Sequence, residues 1–128
     1  MTPFEQLGGA DRVRALVERF YDVMSEREPA LARLHRCDPD GKVDRGSRDR
    51  FALFLIGWLG GPQDYIEQHG HPRLRMRHFP FRIAERERDE WLWCMDRALD
   101  EHPMPDETRA FLRERFHGLA DHMRNQAD

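Results

Sequence analysis

Cysteine is scarce: Cys37 and Cys94 are the two thiols among 128 residues. Two cannot form a disulfide framework, so reduced thiols are expected, with Cys94 packed on a helical face. No glycine-rich loop with a following lysine occurs. Gly8-Gly9 and Gly60-Gly61 fall where helices stop, which removes the phosphate-cradle reading. Thr2, Ser25 and Ser47 lack a nucleophile-elbow context, and hydrolase chemistry is unsupported. No run is long enough to span a bilayer, and Met1-Thr2-Pro3-Phe4-Glu5-Gln6-Leu7 lacks a basic stretch followed by an apolar one. The expectation is a cytoplasmic protein with no membrane partner. A net charge of −3 gives no overall field favouring nucleic acid. Among seven histidines, His69, His71 and His78 lie close together. No pair of them has the i, i+4 spacing of a helical zinc motif, and neither thiol is near in sequence.

What is present is a globular composition, 39% hydrophobic and 35% charged. At this length one domain over residues 1–128 is expected, with about two-thirds of the unfolded surface buried. Thr2, Pro3 and Glu5 form a helix start, and Gly8-Gly9 ends that short piece. From Asp11, the residues Val13, Leu16, Val17, Phe20, Tyr21 and Met24 share one helical face. A brief helical stretch spans Ala30 to His35. Residues 37–47 are polar, with Pro39 and Gly41 as turn-formers. Phe51, Phe54, Leu55, Trp58 and Leu59 repeat at helical steps up to Gly60-Gly61-Pro62. Between Pro72 and Pro80 there is room for one short helix with His78 in its last turn, and Pro80 is expected to push Phe79 out of helical geometry. Glu85 to Leu99 reads as a long helix with Trp91, Leu92, Met95, Ala98 and Leu99 inward. After Pro103 and Pro105, a last helix buries Leu112, Phe116, Leu119, Ala120 and Met123. With no period-two run, the fold class is all-α, with helix pairs in stacked layers.

The most informative segment is Gly70-His71-Pro72-Arg73-Leu74-Arg75-Met76-Arg77-His78-Phe79-Pro80-Phe81-Arg82-Ile83. It sets one histidine between arginines and large apolar side chains. A neutral imidazole coordinates iron, guanidinium forks bind carboxylates, and Phe79, Phe81 and Ile83 suit the face of a flat apolar ring. Composition alone does not separate this from a basic loop. The string, however, closely resembles the proximal-histidine segment of the group II truncated haemoglobins. The resemblance extends in register over Phe20-Tyr21, Gly60-Gly61-Pro62, Tyr65, Glu67-Gln68 and Glu87-Arg88-Asp89-Glu90-Trp91-Leu92-Trp93-Cys94-Met95. Residues 36–50 and 100–110 match weakly.

That resemblance implies a globin-like, truncated 2-over-2 helical sandwich around haem b. Covalent attachment is not expected, since no C-x-x-C-H run exists. The iron-bound histidine of the family falls on His78, its distal tyrosine on Tyr21 and its ligand-facing indole on Trp91. The residue preceding the loop falls on His35, which titrates near neutrality and is a candidate to donate to ligand, accept from Tyr21 or bind ferric iron. Phe54 and Leu55 match distal apolar positions, Phe51 stands where a smaller aliphatic is common, and Ser47 falls near a position that is often polar. Arg77 is the first candidate for a propionate contact and Tyr65 the second, with Phe81 and Ile83 completing the cofactor contacts.

The function so implied is binding of O2, NO, CO or peroxide at haem iron, with nitric oxide dioxygenation or peroxide reduction driven by a separate reductase. An O2 or NO sensor or scavenger and a haem-free helical interaction module are the alternatives. Several truncated globins associate, so a homodimer is also considered, with Trp93 at its surface.

Overall fold

The first helix starts as the capping pattern predicts. The Thr2 hydroxyl accepts the Glu5 N–H at 3.1 Å while the Glu5 carboxylate accepts the Thr2 N–H at 3.1 Å, with Pro3 in the first turn. Gly8, at φ 107°, then reverses the chain. The computed structural model describes residues 1–125. Its helices are α1 Pro3–Leu7, α2 Ala10–Arg27, α3 Pro29–Ala32, α4 Arg45–Trp58, α5 Asp64–His69, α6 Leu74–His78, α7 Glu85–Glu101 and α8 Asp106–Met123. Among the described residues, the only β pairing is an isolated bridge between Cys37 and Val43.

Apolar stripes at helical spacing drive the assembly. Val13, Leu16, Val17, Phe20 and Met24 of α2 bury against Cys94, Met95, Ala98 and Leu99 of α7, and Leu112 and Phe116 of α8 join the same core. α2 packs on α4, α7 packs on α8, and α2 lies across α7, giving two helix pairs in contact. The expected all-α sandwich is the one observed. None of the described helices is long and apolar enough to cross a membrane.

Cys94 is fully buried, and burial, with Glu28 and Glu90 adding to it, pushes its thiol up to about 12. It is a packing residue, not a reactive one.

Besides α3, which ends at Ala32 rather than running to His35, three segments differ from the sequence expectation. α4 begins at Arg45, well before its apolar stripe, because the Asp44 carboxylate accepts the Ser47 N–H at 2.8 Å and caps the helix. In that polar first turn Arg48 is nevertheless buried. Its Nε donates to the Val43 carbonyl at 2.8 Å, and its guanidinium reaches Glu18 at 3.0 Å and Asp22 at 2.8 Å, clamping α4 to α2. Second, Asp64–His69 is helical although its sequence carries no long stripe.

Third, Phe79 is not pushed out of helical geometry. It sits at φ −56°, ψ −36°, held by Phe79 N–H to Met76 O at 3.2 Å and followed by Phe81 N–H to His78 O at 3.0 Å. This tightened turn carries the chain past Pro80 and leaves the Phe79 ring in solvent, so that ring does not cover the site.

The corner after α4 is close-packed. The Gly61 N–H donates to the Ile56 carbonyl at 2.8 Å, and a Cβ on Gly61 would stand 2.8 Å from that oxygen and 2.7 Å from a ring carbon of Phe4. Backbone cannot yield as a flexible side chain does. Gly61→Ala is therefore expected to lower stability by roughly 1–3 kcal/mol, the range for forced overpacking. A urea midpoint equal to that of the parent would refute the close approach.

Candidate functional site

α6 is short, and its position depends on two kinds of contact. Side chains of α8 lie beneath it, and Asn125 clasps the loop that follows. The Asn125 amide donates to the carbonyls of Phe81 at 2.8 Å and His78 at 3.2 Å, while its side-chain oxygen accepts the Ile83 N–H at 3.0 Å. The Asn125 N–H in turn reaches the Ile83 carbonyl at 2.8 Å. At the end of α6, His78 Nδ1 donates to the Leu74 carbonyl at 2.6 Å. A carbonyl only accepts, so the proton is on Nδ1, and Nε2 keeps its lone pair.

His78 borders a cavity of about 310 Å³. Tyr21 of α2, His35, Phe51 and Phe54 of α4, Tyr65 of α5, Trp91 of α7, and Phe81 and Ile83 of the loop line it together with Leu119 and Met123 of α8. The walls are mostly rings and aliphatics, with Arg50 and Arg77 also on the lining. The rings pack edge to face. Tyr21 stands 5.5 Å from His35 and 5.8 Å from Phe51 between centroids, and Phe51 stands 6.2 Å from Trp91.

Electrostatics assign the proton states. Burial raises the Tyr21 phenol well above its ordinary value, against a weaker opposing pull from Arg48 and Arg50, so it stays an O–H donor. Among the described residues neither its hydroxyl nor the Trp91 indole N–H has a protein hydrogen-bond partner. Burial lowers the pKa of His35 and favours the neutral ring, although hydrogen bonding to the Leu31 and Ala32 backbone opposes this. His35 Nδ1 lies 3.2 Å from the Leu31 carbonyl, which places the proton there and leaves Nε2 an acceptor. In that tautomer His35 can accept from Tyr21 or ligate a metal, but it cannot donate to a ligand.

Of the residues singled out from sequence, Tyr21, His35, Phe51, Phe54, Tyr65, Arg77, His78, Phe81, Ile83 and Trp91 meet at this cavity. Leu55 does not. One residue after Phe54 and about 100° around α4, it is fully buried in the core. Ser47 is occupied in the first turn of α4 and does not line the cavity either. His69 and His71 form no metal cluster among the described residues. His71 instead accepts the Arg73 N–H at 3.0 Å, beside a backbone turned to φ 46° at Arg73. Sequence reasoning missed Arg50 and Asn125. Arg50 was readable, lying four residues before Phe54 on one helical face. Asn125 acts across 47 residues and left no local signal.

Comparison with known proteins decides the family. Residues 2–125 match the bacterial-like globin family. The chain belongs to the bacterial-like globins, as a group II truncated haemoglobin. It is 37% identical over 126 residues to the group 2 truncated hemoglobin YjbI of Bacillus subtilis, covering 98% of this chain and 90% of that one. The cold-adapted truncated hemoglobin of Pseudoalteromonas haloplanktis TAC125 superposes with a TM-score of 0.89 at 42% identity, covering 98% and 99% of the two chains. The group II 2-on-2 hemoglobin of Agrobacterium tumefaciens gives 0.88 at 42% identity, covering 100% of this chain and 96% of that one.

Globin membership implies haem and a small diatomic ligand, and this cavity fits such a group. It offers the free lone pair of His78 Nε2, ring-lined apolar walls for the macrocycle, and guanidinium groups suited to its carboxylates.

The neutral state of His35 has a pH signature. Its folded pKa lies below the unfolded value near 6.5, so on acidification the unfolded chain takes up a proton that the folded one resists. Stability is therefore lost as pH falls from about 7 towards 5. His35→Phe is expected to flatten that loss relative to the parent, compared as urea midpoints at the two pH values. Identical slopes would contradict a buried neutral imidazole.

Proposed function

We propose that the cavity holds b-type haem with His78 as axial ligand, and that the protein converts small ligands rather than delivering oxygen. The observation that carries this reading is the paired arrangement at one cavity. An imidazole has Nδ1 engaged by the Leu74 carbonyl, and two donors, the Tyr21 O–H and the Trp91 N–H, have no hydrogen-bond partner among the described residues. Bound haem supplies an iron that takes O2, NO, CO or peroxide and cycles between ferrous and ferric states.

The chain's own groups do the rest. The Leu74 carbonyl fixes the His78 tautomer and the orientation of its ring. Tyr21, held protonated by burial, and Trp91 provide donors for a ligand that gains negative charge, in a site where low dielectric strengthens each bond. Phe51 and Phe54 narrow the space around it and exclude water.

Donors of this kind slow ligand escape, which suits nitric oxide dioxygenation or peroxide reduction better than transport. Both reactions consume electrons, and these residues contain no flavin or nicotinamide segment. A separate reductase is therefore part of the proposal.

Haem titration of the purified protein is expected to give the spectrum of a histidine-ligated b-type haem, and His78→Ala to abolish that ligation. An unaltered spectrum in the variant would remove the axial assignment. Trp91→Phe is expected to speed O2 release about tenfold, the equivalent of one hydrogen bond of about 1.4 kcal/mol. Stopped-flow release at the parental rate would show that the indole does not touch ligand. Nitric oxide consumption and peroxide turnover by the reduced protein in aerated buffer test the redox reading, and absence of both would defeat it.

A further inference from the structure

The segment that carries His78 also concentrates the chain's positive charge. The seventeen residues between Glu67 and Glu85 hold four arginines and no acid, so the net charge of −3 divides into +4 here and −7 in the rest of the chain. Several arginines elsewhere, among them Arg45, Arg48, Arg88 and Arg109, have a carboxylate within ion-pair distance. Among the described residues, Arg73, Arg77 and Arg82 have none, and all three are exposed. In their midst Phe79 is 68% and Met76 58% exposed, and neither lines the cavity. A bound cofactor therefore does not cover them. Arginine, phenylalanine and methionine are the residues enriched at protein interfaces, where buried aromatics anchor and guanidinium groups pair.

We propose that this face is the docking surface for a separate electron-donor protein that presents an acidic patch. The inference rests on the haem reading above, since the face overlies the helix bearing His78. In the docked pair one electron leaves the donor's reduced iron–sulfur or flavin centre and converts ferric iron in the cavity to ferrous. The donor is oxidised by one electron, and no atom is transferred.

A protein fits better than an extended polyanion. Nucleic acid or an anionic bilayer reaches beyond the +4 segment onto a remainder that carries −7 and repels it, whereas a compact acidic patch does not. Docking of a second copy through its acidic surface is heterologous, and such contacts do not close a dimer.

The test uses haem-loaded protein, reduced plant-type [2Fe–2S] ferredoxin as the acidic donor and reduced lumiflavin as a small donor that has no protein surface to dock. The variant is Arg73→Asp with Arg82→Glu. Aspartate tolerates the left-handed backbone at Arg73, and neither arginine lines the cavity. Calorimetric affinity for ferredoxin is expected to fall at least tenfold in the variant. Raising NaCl from about 50 to about 500 mM is expected to weaken the parent likewise, as for steered charge pairs. Reduction by ferredoxin slows in parallel, while reduction by lumiflavin stays within twofold. Phe79→Ser, which alters no charge, weakens binding but keeps the salt slope.

Absent binding, or binding indifferent to salt and to charge reversal, overturns the proposal. So does finding that the charge reversal instead abolishes attachment to phosphatidylserine vesicles or an oligonucleotide, or dissolves a self-associated species in sedimentation. Should the protein take up no haem, the haem reading falls by its spectrum, while ferredoxin calorimetry on the same sample still decides the surface.

Discussion

The chemistry of this molecule depends on one backbone-directed hydrogen bond, from His78 Nδ1 to the carbonyl of Leu74 one turn earlier. An imidazole free to rotate or to exchange tautomers presents a donor as often as a lone pair. Anchored this way, it presents a lone pair only. Everything that positions α6 serves that bond. Five residues of helix cannot hold themselves in water, since a single turn is below the length at which propagation repays nucleation. Tertiary contacts must supply the order: Leu74 against the core, α8 beneath, and the Asn125 clasp on the chain leaving Pro80.

The other wall is ordered by a different device. Arg48, 7% exposed at its side chain, ties the first turn of α4 to Glu18 and Asp22 of α2 and lies 5.9 Å from the centre of the Tyr21 ring. Charged groups of this kind need partners when water is withdrawn, and both carboxylates keep some solvent, which moderates the desolvation cost. The phenol thus stands between a clamped guanidinium and an apolar cavity. One wall is arranged by backbone hydrogen bonding and the other by an ion network, and the cavity lies where the two meet.

Much of this was legible along the chain, for physical reasons. Phe20 and Tyr21 repeat with Leu16 and Met24, and Leu112 with Phe116, because each helix must bury a stripe. Spacing alone therefore located α2, α7 and α8. Gly60-Gly61-Pro62 marked a stop because no residue with a Cβ fits beside Phe4 and the Ile56 carbonyl. What was not legible involves contacts between distant residues. Asn125 meets Phe81 across 44 residues, Arg48 looked like a solvated charge until Glu18 and Asp22 stood opposite, and the orientation of Leu55 turned on the register of a helix whose cap is Asp44. The geometry of Phe79 escaped a local rule because two hydrogen bonds outweighed the preference set by the following proline.

The packing of α1 has a practical corollary for handling the protein. Thr2 lies against Gly60, Phe4 against Gly61, and the Phe4 N–H donates to the Leu59 carbonyl at 2.9 Å, so the first turn plugs the end of α4. Met1, in contrast, is almost fully solvated. A purification tag or fused reporter joined ahead of Met1 leaves that plug in place, whereas trimming even four residues uncorks the corner from which α5 departs.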